Sequence, residues 1–489
     1  MHFRRLFRDT VIYGSGRVIL QVFAVILVPV WTRLFHPSDY GIIEALTSGV
    51  AALTLFGSLG LESASQRSYF DYSDEADRSR VLSTTLAALL ASSAVLSVLG
   101  IAFRHEIALR LLGSEKYSLL VVLAVLGIPL ALLTNFTQEI MRLRHQPWRY
   151  ATVSLVSGLA VIAFSLSFVI GLDEHLRGYY LGVLLGSAVA LLLGFALVRD
   201  AVRPVFDLGE LRVMLAYGLP LVPVAASTWV LQLADRFFLL HYSTLREIGL
   251  YGVGYRLANV LLLGSTAFSL AWAPLMLEMH AQDPPAERAL RARTLNYVTF
   301  MLCVGAVVLS AYAREIFRTI TAPAFADAYT VVGLLAGSVV FIGMNAVTIS
   351  GTSIARRTLY LARYTVYAAL LNTGLNFALI PSLGIVGAAL ATFLTYGFLA
   401  ALYYYRSERL DPAPFEHGRI LLILSVAAAV VAVATLVQVD PLWLDALVKV
   451  PIVLAFPALL LVTRAVEWSS VVEVQAFALE PFRRGETAS

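Results

Sequence analysis

Apolar runs of near-membrane length follow one another along almost the whole chain, and short polar segments separate them. About 20 apolar residues are enough for an α-helix to cross the hydrocarbon layer of a bilayer. The runs are continuous, whereas a membrane β-barrel shows short segments in which apolar and polar residues alternate. Fourteen transmembrane helices are therefore predicted, at residues 11–34, 41–64, 81–103, 118–140, 151–171, 179–198, 213–240, 248–277, 295–313, 330–350, 363–381, 384–405, 419–438 and 443–463.

The composition agrees with an integral, all-α membrane protein. Hydrophobic residues make up 59% and charged residues 14% of the 489 residues, against roughly 25% charged residues in soluble domains. The first apolar stretch is too long for a signal peptide and lacks a small-residue exit, so no cleavable signal is expected. The single cysteine, Cys303, permits no internal disulfide, and no metal-ligand set is apparent.

The basic residues predict the orientation of the chain in the membrane. The 36 Lys and Arg residues are concentrated in alternate connecting segments, and such segments usually face the cytoplasm. This places the N- and C-termini in the cytoplasm. The net charge of +4 follows from these inner arginines, so it does not indicate a nucleic-acid partner.

A repeated pattern predicts two halves of like orientation. Tyr13-Gly14, Arg33 and Tyr40-Gly41 recur as Tyr217-Gly218, Arg236 and Gly249-Leu250-Tyr251-Gly252. The even number of predicted spans between the copies gives both halves the same direction in the membrane, and parallel repeats place the substrate path between them. We expect a six-helix lobe at residues 1–200, a second at residues 201–405, a central cavity, and two added helices with a cytoplasmic tail at residues 406–489.

Several motifs resemble one known family. The stretches PSDYG at residues 37–41, LGLESASQRSYF at 59–70, ADRFFL at 234–239, GLYGVGYRLA at 249–258 and AWAP at 271–274 are similar to the polysaccharide-biosynthesis lipid-linked oligosaccharide flippases (O-antigen type). These belong to the multidrug/oligosaccharidyl-lipid/polysaccharide exporter superfamily, and the resemblance covers about residues 6 to 405. It implies a bacterial or archaeal cytoplasmic-membrane protein that moves an undecaprenyl-pyrophosphate-linked glycan from the inner to the outer leaflet by alternating access.

The chemistry of such a substrate indicates which residues would bind it. Extracting a tail of some fifty carbons would cost roughly 40 kcal/mol at about 0.8 kcal/mol per CH₂, so only the head group crosses a wet cleft. Arginine suits the pyrophosphate, because it stays charged and binds oxygens in pairs. Arg17 and Arg256 lie well inside predicted spans and are the first candidates, followed by Arg236 and Arg33. Each has a structural alternative: snorkelling or pairing for Arg17 and Arg256, an ion pair with Asp235 for Arg236, and interfacial anchoring for Arg33.

Other polar residues inside the spans have two interpretations. The carboxylates Asp235, Glu44 and Glu62 are candidates for a gate or for binding a coupling proton or cation, and any of them could instead pair with an arginine. The amides Asn259, Asn372 and Asn376 are candidates for glycan contacts or for hydrogen bonds between helices. Asn372 and Asn376 should share one helix face, and Gly182 and Gly186 predict a close helix-packing seam.

Two other functions remain open. A cation-coupled multidrug exporter of the same superfamily should have an acid-rich cleft with few arginines. A membrane glycan polymerase or ligase should carry a long outer loop with catalytic residues, whereas the outer loops here are short. We therefore expect a transporter without catalytic residues or a cofactor, driven by a proton, sodium or the membrane potential. The expected form is a monomer among membrane lipids, with polysaccharide polymerase and chain-length proteins as candidate partners.

Overall fold

The structure, a computed structural model, describes residue 16, residues 19–172 and residues 174–465. In this part of the chain the regular structure is helical throughout, with no β-strand. The α-helices are α1 (Val28–Leu34), α2 (Pro37–Ser58), α3 (Leu61–Asp71), α4 (Glu75–Ala102), α5 (Arg104–Leu112), α6 (Ser118–Leu143), α7 (Pro147–Gly171), α8 (His175–Val198), α9 (Leu208–Gly218), α10 (Val222–Leu233), α11 (Asp235–Tyr242), α12 (Leu245–Ala258), α13 (Val260–Gln282), α14 (Pro284–Ala311), α15 (Ala313–Ile320), α16 (Val332–Thr348), α17 (Ser350–Ile354), α18 (Leu359–Leu410), α19 (His417–Leu436) and α20 (Leu442–Val462). Four 3₁₀ segments connect them, at Glu115–Tyr117, Arg199–Ala201, Leu219–Leu221 and Pro323–Val331.

Acidic residues begin several of the long helices. The side chains of Asp74, Asp207 and Asp283 accept hydrogen bonds from backbone N–H groups in the first turns of α4, α9 and α14. An Asp at this position satisfies donors that have no partner inside the helix and favours the positive end of the helix dipole. The polar segments in the sequence therefore act as helix starts as well as connections.

Twelve helical stretches of the described residues are long and apolar enough to cross a membrane. One of them, α18, has 52 residues and is broken at Gly384, whose φ of 54° and ψ of −132° suit glycine. The sequence predicts two spans that meet at this point. The first predicted span lies partly outside the described residues, so the number fourteen stays a prediction.

Two predicted spans are less continuous than the sequence suggests. Span seven consists of α9 and α10, after which a turn at Ala234 leads into the separate helix α11. Span eight is divided between α12 and α13 by a turn at Asn259. Neither the turn at Ala234 nor the turn at Asn259 contains a proline, and hydropathy alone does not reveal either turn.

The described residues divide into two compact units, with boundaries at Val253/Gly254, Tyr364/Thr365 and Ala391/Thr392. The first unit contains the N-terminal helices, and residues 365–391 of α18 belong to it. The second contains residues from 254 to 364 and from 392 onward. The predicted lobe boundaries at residues 200 and 405 stay predictions.

The first unit contains the predicted glycine seam. A Cβ on Gly182 would lie 2.3 Å from the backbone nitrogen of Ser165, and a Cβ on Gly186 would lie 2.4 Å from that of Val161. Since α7 and α8 approach this closely, larger residues would separate them. The sequence-based prediction of a seam at these glycines is confirmed.

In the second unit, α14 occupies the core. In the most apolar stretch of α14, 56% of the residues are buried, against 17% in the corresponding stretch of α13. Cys303 on α14 is buried. The less buried helices expose large apolar side chains such as Leu436 and Val462, which suits contact with lipid hydrocarbon.

Candidate functional site

The two copies of the repeated motif meet in the first unit through glycines. A Cβ on Gly41 of α2 would lie 1.9 Å from the carbonyl oxygen of Leu245, and a Cβ on Gly249 of α12 would lie 1.9 Å from that of Pro37. No side chain fits at such distances, so the backbones of α2 and the start of α12 touch directly. The glycines that mark the repeat in the sequence are therefore the residues that allow this crossing.

A second backbone contact in the first unit also depends on glycine. Gly60 has a φ of 69°, and a Cβ there would lie 2.2 Å from the carbonyl oxygen of Gly218. Gly218 in turn would place a Cβ 2.8 Å from the carbonyl oxygen of Gly60. Gly60 joins α2 to α3, and Gly218 ends α9. Close backbone contacts thus occur near both ends of α2.

A buried cluster of charged residues lies beside the first of these contacts. We call Glu44, Asp235, Arg236 and Tyr251 the crossing cluster; Arg236 is 1% exposed and Asp235 is 4% exposed. A guanidinium nitrogen of Arg236 donates to Asp235 Oδ1 at 2.7 Å and to the carbonyl oxygen of Gln232 at 2.7 Å. The Tyr251 hydroxyl donates to Asp235 Oδ2.

Glu44 brings α2 into the same cluster. Its Oε2 lies 3.8 Å from Arg236 Nε, and the guanidinium carbon lies 5.1 Å from the centre of the Tyr251 ring. A Cβ on Gly252 would lie 2.5 Å from Glu44 Cγ, so this glycine makes room for the carboxylate. Two carboxylates thus face one guanidinium in a buried site.

The other candidate arginines lie in different environments. Arg33 is exposed in the last turn of α1, and Arg256 is half-buried in the last turn of α12. Arg17 lies outside the described residues. Their roles in pyrophosphate binding stay predictions.

The polar residues on α18 share a face, as the sequence predicts. Asn376 Nδ2 donates to Asn372 Oδ1 at 2.9 Å, and both side chains are buried. Asn376 Oδ1 has no hydrogen-bond partner among the described residues. Asn259 is half-buried at the turn between α12 and α13. Contacts of these amides with a glycan stay predictions.

Glu62 is half-buried at the start of α3, where the charges of Glu139 and Arg142 act on it. Glu139 is 3% exposed and forms an ion pair with Arg142 on α6. Sequence analysis did not single out Glu139. The spacing of the two residues, three apart on one helix, is the signal that could have found the pair.

Sequence analysis also missed a buried ion-pair cluster in the second unit. Lys449 Nζ on α20 lies 2.6 Å from Glu315 Oε1 and 3.1 Å from Asp445 Oδ2, and Arg314 reaches Asp445 at 3.0 Å. Burial raises the pKa of the Glu315 carboxyl, and the bond from Lys449 opposes this effect. A surface cavity of about 710 Å³ borders Glu315, Asp440 and Trp443. The cluster joins α15 to α20, one of the two added helices.

One group of residues in the second unit has the composition of a metal site. A ring nitrogen of His280 and carboxylate oxygens of Glu287 and Asp411 lie within 4.8 Å of one another. However, Asp411 accepts bonds from Arg288 Nε at 2.8 Å and from Arg291 at 2.5 Å. Two guanidiniums beside the carboxylates already supply the positive charge, so we interpret this group as an ion-pair network.

Comparison with known proteins identifies a family. Residues 6–280 match the family model described as polysaccharide biosynthesis protein. The chain is also 23% identical over 281 residues to "Lsg locus putative protein 1" of Haemophilus influenzae. That alignment covers 56% of this chain and 66% of the relative, just under two thirds of its length.

Solved structures share the fold. A structure titled lipid II flippase MurJ, inward closed conformation, matches with a TM-score of 0.70 and 16% identity, over 90% of this chain and 97% of the other. An inward-facing multidrug resistance MATE family transporter of the MOP superfamily matches with a TM-score of 0.63 and 13% identity, over 80% and 97%. Both comparisons confirm the helical membrane fold expected from the sequence.

Proposed function

This chain belongs to the polysaccharide biosynthesis protein family and is a multi-pass membrane protein, and from this premise we propose that it is a lipid-linked oligosaccharide flippase. Its substrate would be a glycan on undecaprenyl pyrophosphate, moved from the inner to the outer leaflet of the cytoplasmic membrane by alternating access. The family match over residues 6–280 carries the proposal. The fold shared with a lipid II flippase supports it.

The physical requirements of this substrate agree with the polar residues in the helices. The polyprenyl tail stays in the bilayer because its extraction would cost roughly 40 kcal/mol. The charged head group needs guanidiniums along its path, and we propose Arg17 and Arg256 as the main pyrophosphate contacts, assisted by Arg33. Arg236 is paired inside the crossing cluster, so a second role at the gate suits it better than permanent substrate contact.

We propose that the crossing cluster is the outer gate. The predicted orientation places the start of α2 and the end of α11 near the outer face, where a released head group must leave. Opening there would separate Glu44 from Arg236 and move α2 away from the start of α12. Protonation of Glu44 or Asp235 would weaken the hold on Arg236. This would connect gate opening to a proton gradient.

A genetic experiment tests the proposed function in the cell. Deletion of the gene should remove the surface glycan while its lipid-linked precursor accumulates on the inner leaflet, measured by mass spectrometry of extracted lipids. Expression of the wild-type chain should restore export. Unchanged surface glycan and no accumulated precursor in the deletion strain would contradict the proposal.

A multidrug exporter is the second candidate, because the MATE transporter fold also matches. Glu44 and Asp235 would then bind the coupling cation. This alternative predicts that deletion increases drug susceptibility and leaves the lipid-linked glycan pool unchanged, the opposite result in the same strain.

A further inference from the structure

The two ends of α18 lie side by side in the second unit. The guanidinium carbon of Arg406 lies 3.5 Å from the centre of the Tyr360 ring. The Tyr403 hydroxyl donates to the carbonyl oxygen of Leu361 at 3.4 Å, and the rings of Tyr403 and Tyr364 are 6.3 Å apart. Residues from both ends therefore form one surface, which we call the 360/406 surface.

Four exposed arginines lie within four residues of Tyr360 or Arg406 in the sequence. Arg357 is one turn before Tyr360, since Tyr360 N–H donates to its carbonyl oxygen at 3.2 Å, and Arg356 precedes it. Arg363 follows Tyr360 by three residues, and Arg409 follows Arg406 by three. Residues at this spacing on a helix are neighbours, with Cβ atoms about 5–6 Å apart. With Arg406, five arginines thus lie at or beside the 360/406 surface. The Arg409 guanidinium packs over the Tyr405 ring at 4.6 Å.

The described carboxylates that follow Arg406 and Arg409 in the sequence have other partners. Asp411, the nearest aspartate in sequence, accepts bonds from Arg288 and Arg291 of α14. Glu408 Oε2 accepts a bond from the Ala413 N–H at 3.5 Å. Across the described residues, none of the five arginines forms an ion pair. Other arginines at this end of the molecule do form them, for example Arg419 with Glu416 at 3.1 Å.

Five like charges held together repel one another, and a polyanion removes that cost. Clusters of four to eight basic residues at the cytoplasmic end of membrane helices bind lipid head groups that carry several negative charges. The arginine fork binds phosphate oxygens in pairs, and the Tyr360 ring holds the Arg406 guanidinium in place by a cation–π contact. A single phosphate ester would leave most of the positive charge unbalanced, whereas a diphosphate balances more of it.

We propose that the 360/406 surface binds the diphosphate of the polyprenyl-linked substrate in the inner leaflet, before the head group enters the protein. This inference rests on the proposed flippase function. It assigns to arginines at the predicted inner ends of these spans a separate first step, the capture of substrate. The predicted cytoplasmic position of these arginines places them at the depth of the inner head groups.

Binding measurements with two matched variants test the inference. The variant Arg356→Gln/Arg357→Gln/Arg363→Gln removes three charges from the surface. The control Arg199→Gln/Arg203→Gln/Arg212→Gln removes three exposed arginines that also lack acidic partners in the described structure and face the same predicted side. In zwitterionic nanodiscs, the first variant should bind polyprenyl diphosphate at least about tenfold more weakly than wild type, and the control should bind it normally.

A competition experiment shows whether the 360/406 surface recognises the polyprenyl diphosphate or other phosphate-bearing anions. Cardiolipin and inorganic pyrophosphate, at the concentration of the polyprenyl diphosphate, should displace it only weakly. Equal losses in both variants, or full displacement by cardiolipin, would overturn the inference and leave a surface that binds anions in general. A transport measurement separates the two proposals. If the wild-type protein transports the substrate and the first variant binds it as tightly as wild type, the capture site alone is refuted. Absence of wild-type transport would refute the flippase function.

Discussion

Arg236 is the residue on which the crossing cluster depends, because its guanidinium faces the carboxylates of both Asp235 and Glu44. The pairing with Asp235 follows from their adjacency in the sequence, but Glu44 lies on another helix far away along the chain. A local pattern marks such residues as polar positions within apolar runs. It does not give the partner, since that depends on how α2 and α11 pack.

We expect Arg236→Ala to destabilise the protein by about 3–5 kcal/mol, the usual cost of removing one member of a buried ion pair. Asp235 would then lose the guanidinium that donates a hydrogen bond to it. Glu44→Gln combined with Arg236→Gln should cost less than the sum of the two single changes, because the residues interact. Unfolding free energies in detergent measure this, and strict additivity would show that Glu44 and Arg236 act independently.

Asp411 gives a prediction about pH. Burial alone would raise its pKa, but hydrogen bonds from Arg288 and Arg291 outweigh that effect and hold the pKa of Asp411 below the ordinary aspartate value of 3.8. A lowered carboxyl pKa stabilises the fold above the unfolded pKa, and this stability is lost as the pH falls through the folded pKa. When the pH is lowered below about 4, the melting temperature of wild type should therefore fall more than the melting temperature of Asp411→Asn.

The matched control for this measurement is Asp71→Asn, at an exposed carboxylate. This variant should follow the wild-type curve at every pH. If Asp411→Asn also follows it, the ion-pair network with Arg288 and Arg291 contributes nothing to stability.

At the scale of helices, the sequence predicts the elements well and their breaks unevenly. The predicted boundary between the spans at residues 363–381 and 384–405 coincides with the break at Gly384. Glycine marks this break in the sequence because it readily adopts the observed positive φ. The turn at Asn259 has no such marker within its apolar run. The close approach of α2 and α12 is visible in sequence as repeated glycines, although the repeat does not show that its two copies touch.

Alanine substitutions at these glycines test the helix crossing. Gly41→Ala or Gly249→Ala would place a Cβ within 1.9 Å of a backbone carbonyl oxygen, so the helices must separate and the melting temperature should fall by several degrees. Gly264→Ala on α13 is the control, since no atom lies within 4 Å of its Cβ position. Alanine also favours a helix over glycine, so the control should be neutral or slightly more stable.

If Gly264→Ala lowered the melting temperature more than Gly41→Ala and Gly249→Ala, the contact between α2 and α12 would not be tightly packed. A loss of stability with retained export would instead remove the gate role and leave the contact structural. Both readouts are therefore needed on the same variants.

At the scale of the whole molecule, hydropathy and motif order predicted the fold and the family, and the comparisons confirm both. The candidate site was only partly predictable. The cluster residues Glu44, Asp235 and Arg236 stood out as charges in apolar runs, whereas Tyr251 and the clusters around Lys449 and Asp411 depend on packing between distant segments. The pyrophosphate contacts stay predictions.

Alanine substitution of the candidate head-group arginines should affect transport and not membrane insertion. We expect Arg17→Ala and Arg256→Ala each to abolish glycan export, because the pyrophosphate loses a paired contact in its path. Lysine at either position should restore export in part, since it keeps the charge but loses the fork geometry. Normal export by both alanine variants would remove this assignment.

Leaflet exchange of a lipid-linked glycan tests the proposed function most directly. Purified protein is placed in liposomes with a fluorescent undecaprenyl-pyrophosphate oligosaccharide, and an impermeant glycosidase digests the glycan on the outside. With the protein present, and a proton gradient imposed, digestion should proceed well beyond the outer-leaflet fraction reached in empty liposomes. Digestion that stops at the empty-liposome level, with correctly folded protein and under every imposed gradient, would contradict the flippase proposal.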